Sequence, residues 1–115
     1  METQFPGRKS ARLHLKDQNS GLTFLIDTGA DVSVVPRPKD WEIKPSSFTL
    51  FAANMTPIHT YTVEVLTVQF LPGKAFNWPF YVADVPYPIL GGNALAHFNF
   101  LPDLANKTLD RKSVV

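Results

Sequence analysis

Ten prolines, spread from Pro6 to Pro102, interrupt nearly every window of this 115-residue chain that is long enough to hold a helix. A proline inside a helix removes an amide donor and collides with the preceding turn. A helical bundle is therefore excluded, and short strands bounded by proline are expected. Nine Phe, three Tyr and two Trp supply bulk for a core. With 44% hydrophobic and 18% charged residues the composition is that of an ordinary globular chain, which sets aside disorder, collagen and coiled coil. The length suits one domain, and the expected class is all-β.

Local patterning supports this. Residues 12–16 alternate polar and apolar, as a half-buried strand does. Residues 17–21 are turn-formers, and residues 22–26 are mostly apolar, so 12–26 read as a hairpin. Asp27-Thr28-Gly29 interrupts the apolar run, which resumes as a β-branched strand over 32–35. Residues 37–47 read as loop, 48–51 and 59–70 as strands joined by a short turn-rich connection, and 76–85 as a further strand after the Pro72-Gly73 turn. Only 92–98 looks helical, with Asn93 as a candidate cap, and 100–109 suits a final strand pair. The domain is expected over 11–110, between a flexible segment 1–10 and a tail 111–115.

Charge and residue usage exclude several functions. Eleven Lys and Arg against ten Asp and Glu leave a net charge of +1, so no direct nucleic-acid partner is expected. The chain has no cysteine, which removes disulfides, thiolate metal sites and Cys nucleophiles and suits an intracellular location. No apolar run is long enough for a membrane span, and residues 1–10 lack the apolar centre of a signal peptide. His14, His59 and His97 lack metal-ligand spacing, so no metal and no cofactor is expected. Ser33 has neither a nearby His nor an elbow motif and reads as a local hydrogen-bonding group. Trp41 and Trp78 read as core or interface residues. Asn54-Met55-Thr56 fits a glycosylation sequon with no sign of secretion beside it.

The chemistry concentrates in Phe24-Leu25-Ile26-Asp27-Thr28-Gly29-Ala30-Asp31-Val32-Ser33-Val34-Val35. A carboxylate directly after an apolar run is expensive to bury and calls for a purpose. Apolar runs on both sides bury the turn, and Gly29 leaves room for a ligand beside the backbone.

Residues 26–36 resemble the active-site loop of the retroviral-type aspartic proteases, the retropepsins. A second match is Pro88-Ile89-Leu90-Gly91 before a short helix, at fitting distance from Asp27, and residues 50–58 lie where retropepsins carry the flap. Residues 51–54 and 78–85 look most like proteases of gypsy-type LTR retrotransposons. The resemblance spans about residues 12–109. It implies a closed β-barrel-type acid protease fold with one short C-terminal helix, active as a homodimer. The implied activity is an aspartic endopeptidase cutting a retroelement Gag-Pol-type polyprotein, in the cytoplasm or within retroelement particles. A retropepsin-like domain of a cellular or domesticated protein, and a catalytically silent dimerisation module, are the alternatives.

The resemblance also assigns roles. One Asp-Thr-Gly supplies one carboxylate, whereas the reaction needs two sharing a proton, so Asp27 would meet its mate on a two-fold axis. Thr28 would brace the paired loops. Gly29, Ala30 and Asp31 would bind substrate backbone. Val32, Val34, Tyr87 and Ile89 would line side-chain pockets, and Asn54, Met55 and Thr56 would close over the peptide. The family usually carries Arg or Ala where this chain has Gly92. Without that Arg, Asp31 would look to Arg8 or Arg12. Phe100, Leu101 and Leu104 would join an interface of chain ends, and Pro102 there predicts a weaker dimer than in lentiviral enzymes.

Overall fold

The computed structural model describes residues 12–41, 45–52 and 54–111. The segment 1–10 and residues 112–115 of the tail fall outside them, as does Arg8. The hairpin expected over 12–26 is β1 (Arg12–Lys16) and β2 (Thr23–Asp27), paired antiparallel with Leu13 opposite Ile26. Its turn is tied by Asp17, which is buried and accepts hydrogen bonds from the Ser20 hydroxyl (2.6 Å), the amides of Asn19 and Ser20 (both 3.1 Å) and the distant amide of Gln69 (2.7 Å).

β3 (Val34–Pro36) starts two residues later than the pattern suggests, because Asp31 and Val32 lie in a bend and Ser33 follows it outside the ladder. β4 (Thr49–Phe51) and the long β5 (Pro57–Leu71) form one hairpin, and β5 returns as β6 (Lys74–Ala83) through a turn in which Gly73 takes a left-handed φ of 70°. Pro79 is tolerated inside β6, opposite Val65, because β3 pairs only with Tyr81–Ala83 on the other side. β7 (Ile89–Gly91) leads into α1 (Gly92–His97). β8 (Phe100–Asp103) and β9 (Thr108–Arg111) form the expected final pair.

The strands β1 to β7 make one sheet in the order β1-β2-β7-β3-β6-β5-β4, curled as a half-barrel, and β8-β9 form a separate two-stranded sheet. β7 is the hinge of this order. It pairs parallel with β2, placing Asp27 opposite Gly91, and antiparallel with β3, placing Ile89 opposite Val34.

Two apolar clusters hold the sheet. The larger joins Leu13, Phe24, Ile26, Val68, Phe70, Phe80, Leu90, Leu95 and Leu109, with Phe24 edge-on to Phe70 (centroids 5.3 Å) and Phe80 (5.8 Å). Trp78 packs against this cluster and against the His97 ring (5.0 Å). The smaller joins Leu25, Ala30, Val34, Ala83 and Ile89, with Val32, Leu50, Ile58, Tyr81 and Val85 packed on it.

Candidate active site

Asp27 is the last residue of β2, and the strand delivers it into the interior: its side chain is 0% exposed. The chain turns at once. The Gly29 amide donates to Asp27 Oδ1 (2.9 Å), and the Ala30 amide to the Asp27 carbonyl (3.3 Å). Oδ2 is buried with no hydrogen-bond donor. The charge partner at that oxygen is Arg12, whose Nε lies 3.5 Å away, an ion-pair contact without hydrogen-bond geometry. The resemblance offered Arg12 to Asp31; this contact with Asp27 was not foreseen. Its signal lies in the hairpin register, which sets Arg12 opposite Asp27.

The loop is pressed against the start of α1. The Gly92 amide donates to the Ala30 carbonyl (2.6 Å). A Cβ on Gly92 would stand 3.0 Å from the Thr28 carbonyl oxygen and 3.2 Å from that of Ala30. On Gly91 it would overlap the Val32 carbonyl and lie 2.9 Å from the Ala30 oxygen. Gly91 is therefore required by backbone approach, and at Gly92 a side chain would press on two carbonyl oxygens of the loop.

Ser33 is fully buried and fastens the far end of the loop. Its hydroxyl donates to Asn93 Oδ1 (2.9 Å) and accepts from the Gly91 amide (2.9 Å). Asn93 does not cap the helix as expected. Gly91 occupies the cap position without a side-chain bond, while Asn93, inside the first turn, accepts from the Ala94 amide (2.8 Å). The short approach of residue 92 to the loop starts the helix before Asn93. Ser33 is thus the local hydrogen-bonding group expected, but its partners lie about sixty positions away, beyond the reach of local pattern reading.

The other expected site residues fall into three places. Thr28 and Asp31 are exposed beside Asp27. Thr28 borders a cavity of about 280 Å³ together with Gly92, Leu95, Ala96, Asn99, Phe100 and Leu101. Ala30, Val32, Val34 and Ile89 belong to the smaller apolar cluster, with Ala30, Val34 and Ile89 buried in it; Tyr87 is 46% exposed. Asn54, Met55 and Thr56 form the exposed tip of the β4–β5 hairpin. There the Ala52 amide donates to the Thr56 carbonyl (2.9 Å), the Thr56 amide to Asn54 Oδ1 (3.1 Å), and Met55 takes a left-handed φ of 68°. Leu50 and Ile58, at the base of that hairpin, reach the cluster containing Ala30. One apolar surface therefore runs from the Asp27 loop to the hairpin.

A mostly β half-barrel carrying an Asp-Thr-Gly turn with a buried carboxylate, braced by a glycine pair before a short helix, defines the class. The chain belongs to the retroviral aspartyl protease family, whose model matches residues 8–101. A relative is the Gag-Pol polyprotein of Feline leukemia virus, 33% identical over 99 residues, which cover 83% of this chain and 6% of the polyprotein. Two solved structures are similar in fold. The EIAV protease complexed with the inhibitor HBY-793 gives a TM-score of 0.56 at 22% identity, covering 98% of this chain and 100% of that one. The retroviral protease-like domain of Ddi1 from Leishmania major gives 0.61 at 15% identity, covering 93% and 91%.

Proposed function

We propose that the chain is one half of a homodimeric aspartic endopeptidase that hydrolyses peptide bonds of a retroelement Gag-Pol-type polyprotein, in the cytoplasm or within retroelement particles. The observation that carries the reading is Asp27: a fully buried carboxylate at a strand end, with one oxygen held by the Gly29 amide and the other lacking any donor. Two such carboxylates across a two-fold axis share one proton, since both cannot ionise about 3 Å apart. The ionised one takes a proton from water, whose oxygen attacks the scissile carbonyl. The protonated one donates a hydrogen bond to the carbonyl oxygen. Collapse breaks the C–N bond, and the leaving amine takes up the proton.

The supporting roles follow position. Thr28 braces the paired loops, Gly29, Ala30 and Asp31 bind the substrate backbone, Val32, Val34, Tyr87 and Ile89 shape the side-chain pockets, and Asn54, Met55 and Thr56 close over the peptide. The Gag-Pol relative favours a polyprotein substrate. The likeness to a Ddi1 domain favours a second reading, a retropepsin-like domain of a cellular protein.

A peptide library containing Gag-Pol-type junctions tests both, with a statine-type peptide as inhibitor. Cleavage that the inhibitor blocks and Asp27→Asn abolishes is expected. Asn is nearly isosteric but cannot act as a base, so the fold of the variant should persist by circular dichroism. Turnover retained by the purified variant would refute the assignment, and cleavage confined to peptides unlike polyprotein junctions would favour the cellular reading. A wild-type chain that neither cleaves nor binds the inhibitor is a silent dimerisation module.

A further inference from the structure

β5 serves two partners. Pro57, Ile58 and His59 pair with β4 in the hairpin that carries Asn54, Met55 and Thr56, and the strand from Thr60 onward pairs with β6. The changeover falls at Tyr61. Thr60 faces Ala83 and Thr62 faces Val82, so Tyr61 is one extra residue on β5 with no partner on β6. Such a bulge bends its strand and re-aims what it carries. The direction in which the hairpin leaves the sheet is therefore set at Tyr61.

The ends of two other strands close on that bend. The Tyr61 hydroxyl donates to the Asp84 carboxylate, 2.9 Å from Oδ1 and 2.8 Å from Oδ2. That bond raises the phenol's pKa above its ordinary 10.0, so it remains a donor near neutrality. Asp84, one residue past β6, also donates its amide to the His59 carbonyl (3.0 Å). Arg37, one residue past β3, donates from Nε to Asp84 Oδ1 (3.3 Å) and from Nη1 to the Trp41 carbonyl (2.7 Å), and its guanidinium lies 4.9 Å from the centre of the Tyr61 ring. A lone exposed ion pair contributes little, but here each of three side chains restrains the other two. Leu50 and Ile58 of the hairpin pack on the apolar cluster containing Ala30, so a change in hairpin angle moves that surface relative to the Asp27 loop.

We propose that Tyr61 is a positioning residue: held by Asp84 and Arg37, it fixes the angle of the β4–β5 hairpin over the Asp27 loop and governs substrate affinity rather than the chemical step. This inference rests on the reading of the chain as a protease whose hairpin closes over the peptide.

The test combines steady-state cleavage with amide hydrogen exchange by NMR on the wild-type chain, Tyr61→Phe, Asp84→Ala and the double variant. Tyr61→Phe keeps the ring under Arg37 and removes only the hydroxyl. It is expected to raise KM by about threefold to tenfold, the range for one lost hydrogen bond to a charged group near the surface, with kcat within about twofold of wild type. Exchange of the Asp84 amide should quicken by a similar factor, while the Leu25 amide, bonded to the Pro88 carbonyl (2.9 Å), keeps its wild-type rate. In the Asp84→Ala background, Tyr61→Phe should change KM by less than about 1.5-fold, because the hydroxyl has lost its acceptor. Unchanged KM, or a fall in kcat as large as the rise in KM, overturns the proposal. So does equal quickening of the Leu25 amide, which would mean general destabilisation, or the same KM rise in both backgrounds. Should Asp84→Ala fail to fold, the KM–kcat split and the two exchange rates of Tyr61→Phe decide. A wild-type chain that cleaves nothing refutes the protease reading and the affinity role with it, whereas a failed positioning role leaves wild-type cleavage intact.

Discussion

Gly91 and Gly92 are set by what surrounds them. Each sits where a Cβ would meet carbonyl oxygens of the Asp27 loop, and backbone atoms there cannot rotate aside as a side chain would. Gly91→Ala is expected to destabilise the chain by about 1–3 kcal/mol or more, the usual cost of overpacking, and to lower cleavage further by pushing the loop out of register. Gly92→Ala, whose Cβ contacts are looser, should cost less. Urea unfolding of both variants beside the wild type measures the order, and a Gly91 variant as stable as the wild type would contradict the close approach. At this scale the sequence was only half readable. Asp27 stood out because a carboxylate ends an apolar run. The glycine pair gave a weaker sign, since the carbonyls that require it belong to a loop some sixty residues earlier. The Ser33–Asn93 bond left no local trace at all.

Strands and turns show the same division between local and distant causes. The β1–β2 hairpin and the final strand pair are written in alternation and turn chemistry, and they form near where that patterning places them. β7 is only Ile89–Gly91, too short for any period, and its pairing with β2 on one side and β3 on the other is wholly non-local. The β1–β2 turn supplies a prediction of its own. Burial tends to raise the pKa of Asp17, but hydrogen bonds from the Ser20 hydroxyl and the amides of Gln69, Asn19 and Ser20 outweigh it and hold the carboxyl below its ordinary 3.8. A carboxyl whose folded pKa is depressed adds stability above the unfolded value, and that contribution disappears as pH falls through the folded one. The Gln69 bond also ties the turn to β5, so Asp17→Asn should cost about 1.5–3 kcal/mol near neutrality. The gap between variant and wild type should narrow as pH drops below about 4. Urea titrations at pH 6 and pH 3 check this, and a gap that stays constant would mean that the charge of Asp17 is not what the turn uses.

Under the proposed two-subunit reading, the whole chain presents features that a second copy would complete. Thr28 is exposed beside Asp27 and borders the cavity of about 280 Å³ walled by α1 and β8. The β8–β9 pair stands outside the main sheet, and two-stranded sheets are marginal on their own in water. Of the residues expected at an interface, Phe100 is half-buried and packs against Phe76 (5.3 Å) and Phe98 (5.4 Å), whereas Leu101 and Leu104 are exposed. Pro102 sits within β8 opposite Leu109 and cannot donate a ladder hydrogen bond from its own nitrogen. Under the two-subunit reading, half of the reactive carboxylates lie on each chain, so specific activity should fall as the protein is diluted rather than stay constant. Binding of a second copy stabilises only the folded chain, and the gain grows with concentration, reaching about 2.7 kcal/mol when the partner stands at a hundred times the dissociation constant. The melting temperature should therefore rise with protein concentration over the range in which activity appears. Leu101→Asp and Leu104→Asp should shift both curves to higher concentration together, since they place charge on exposed apolar positions of the chain's C-terminal part. Thermal melts and cleavage assays across a thousandfold dilution series would follow the two curves, and full activity in a sample shown by sedimentation to be monomeric would mean that one subunit holds a complete site.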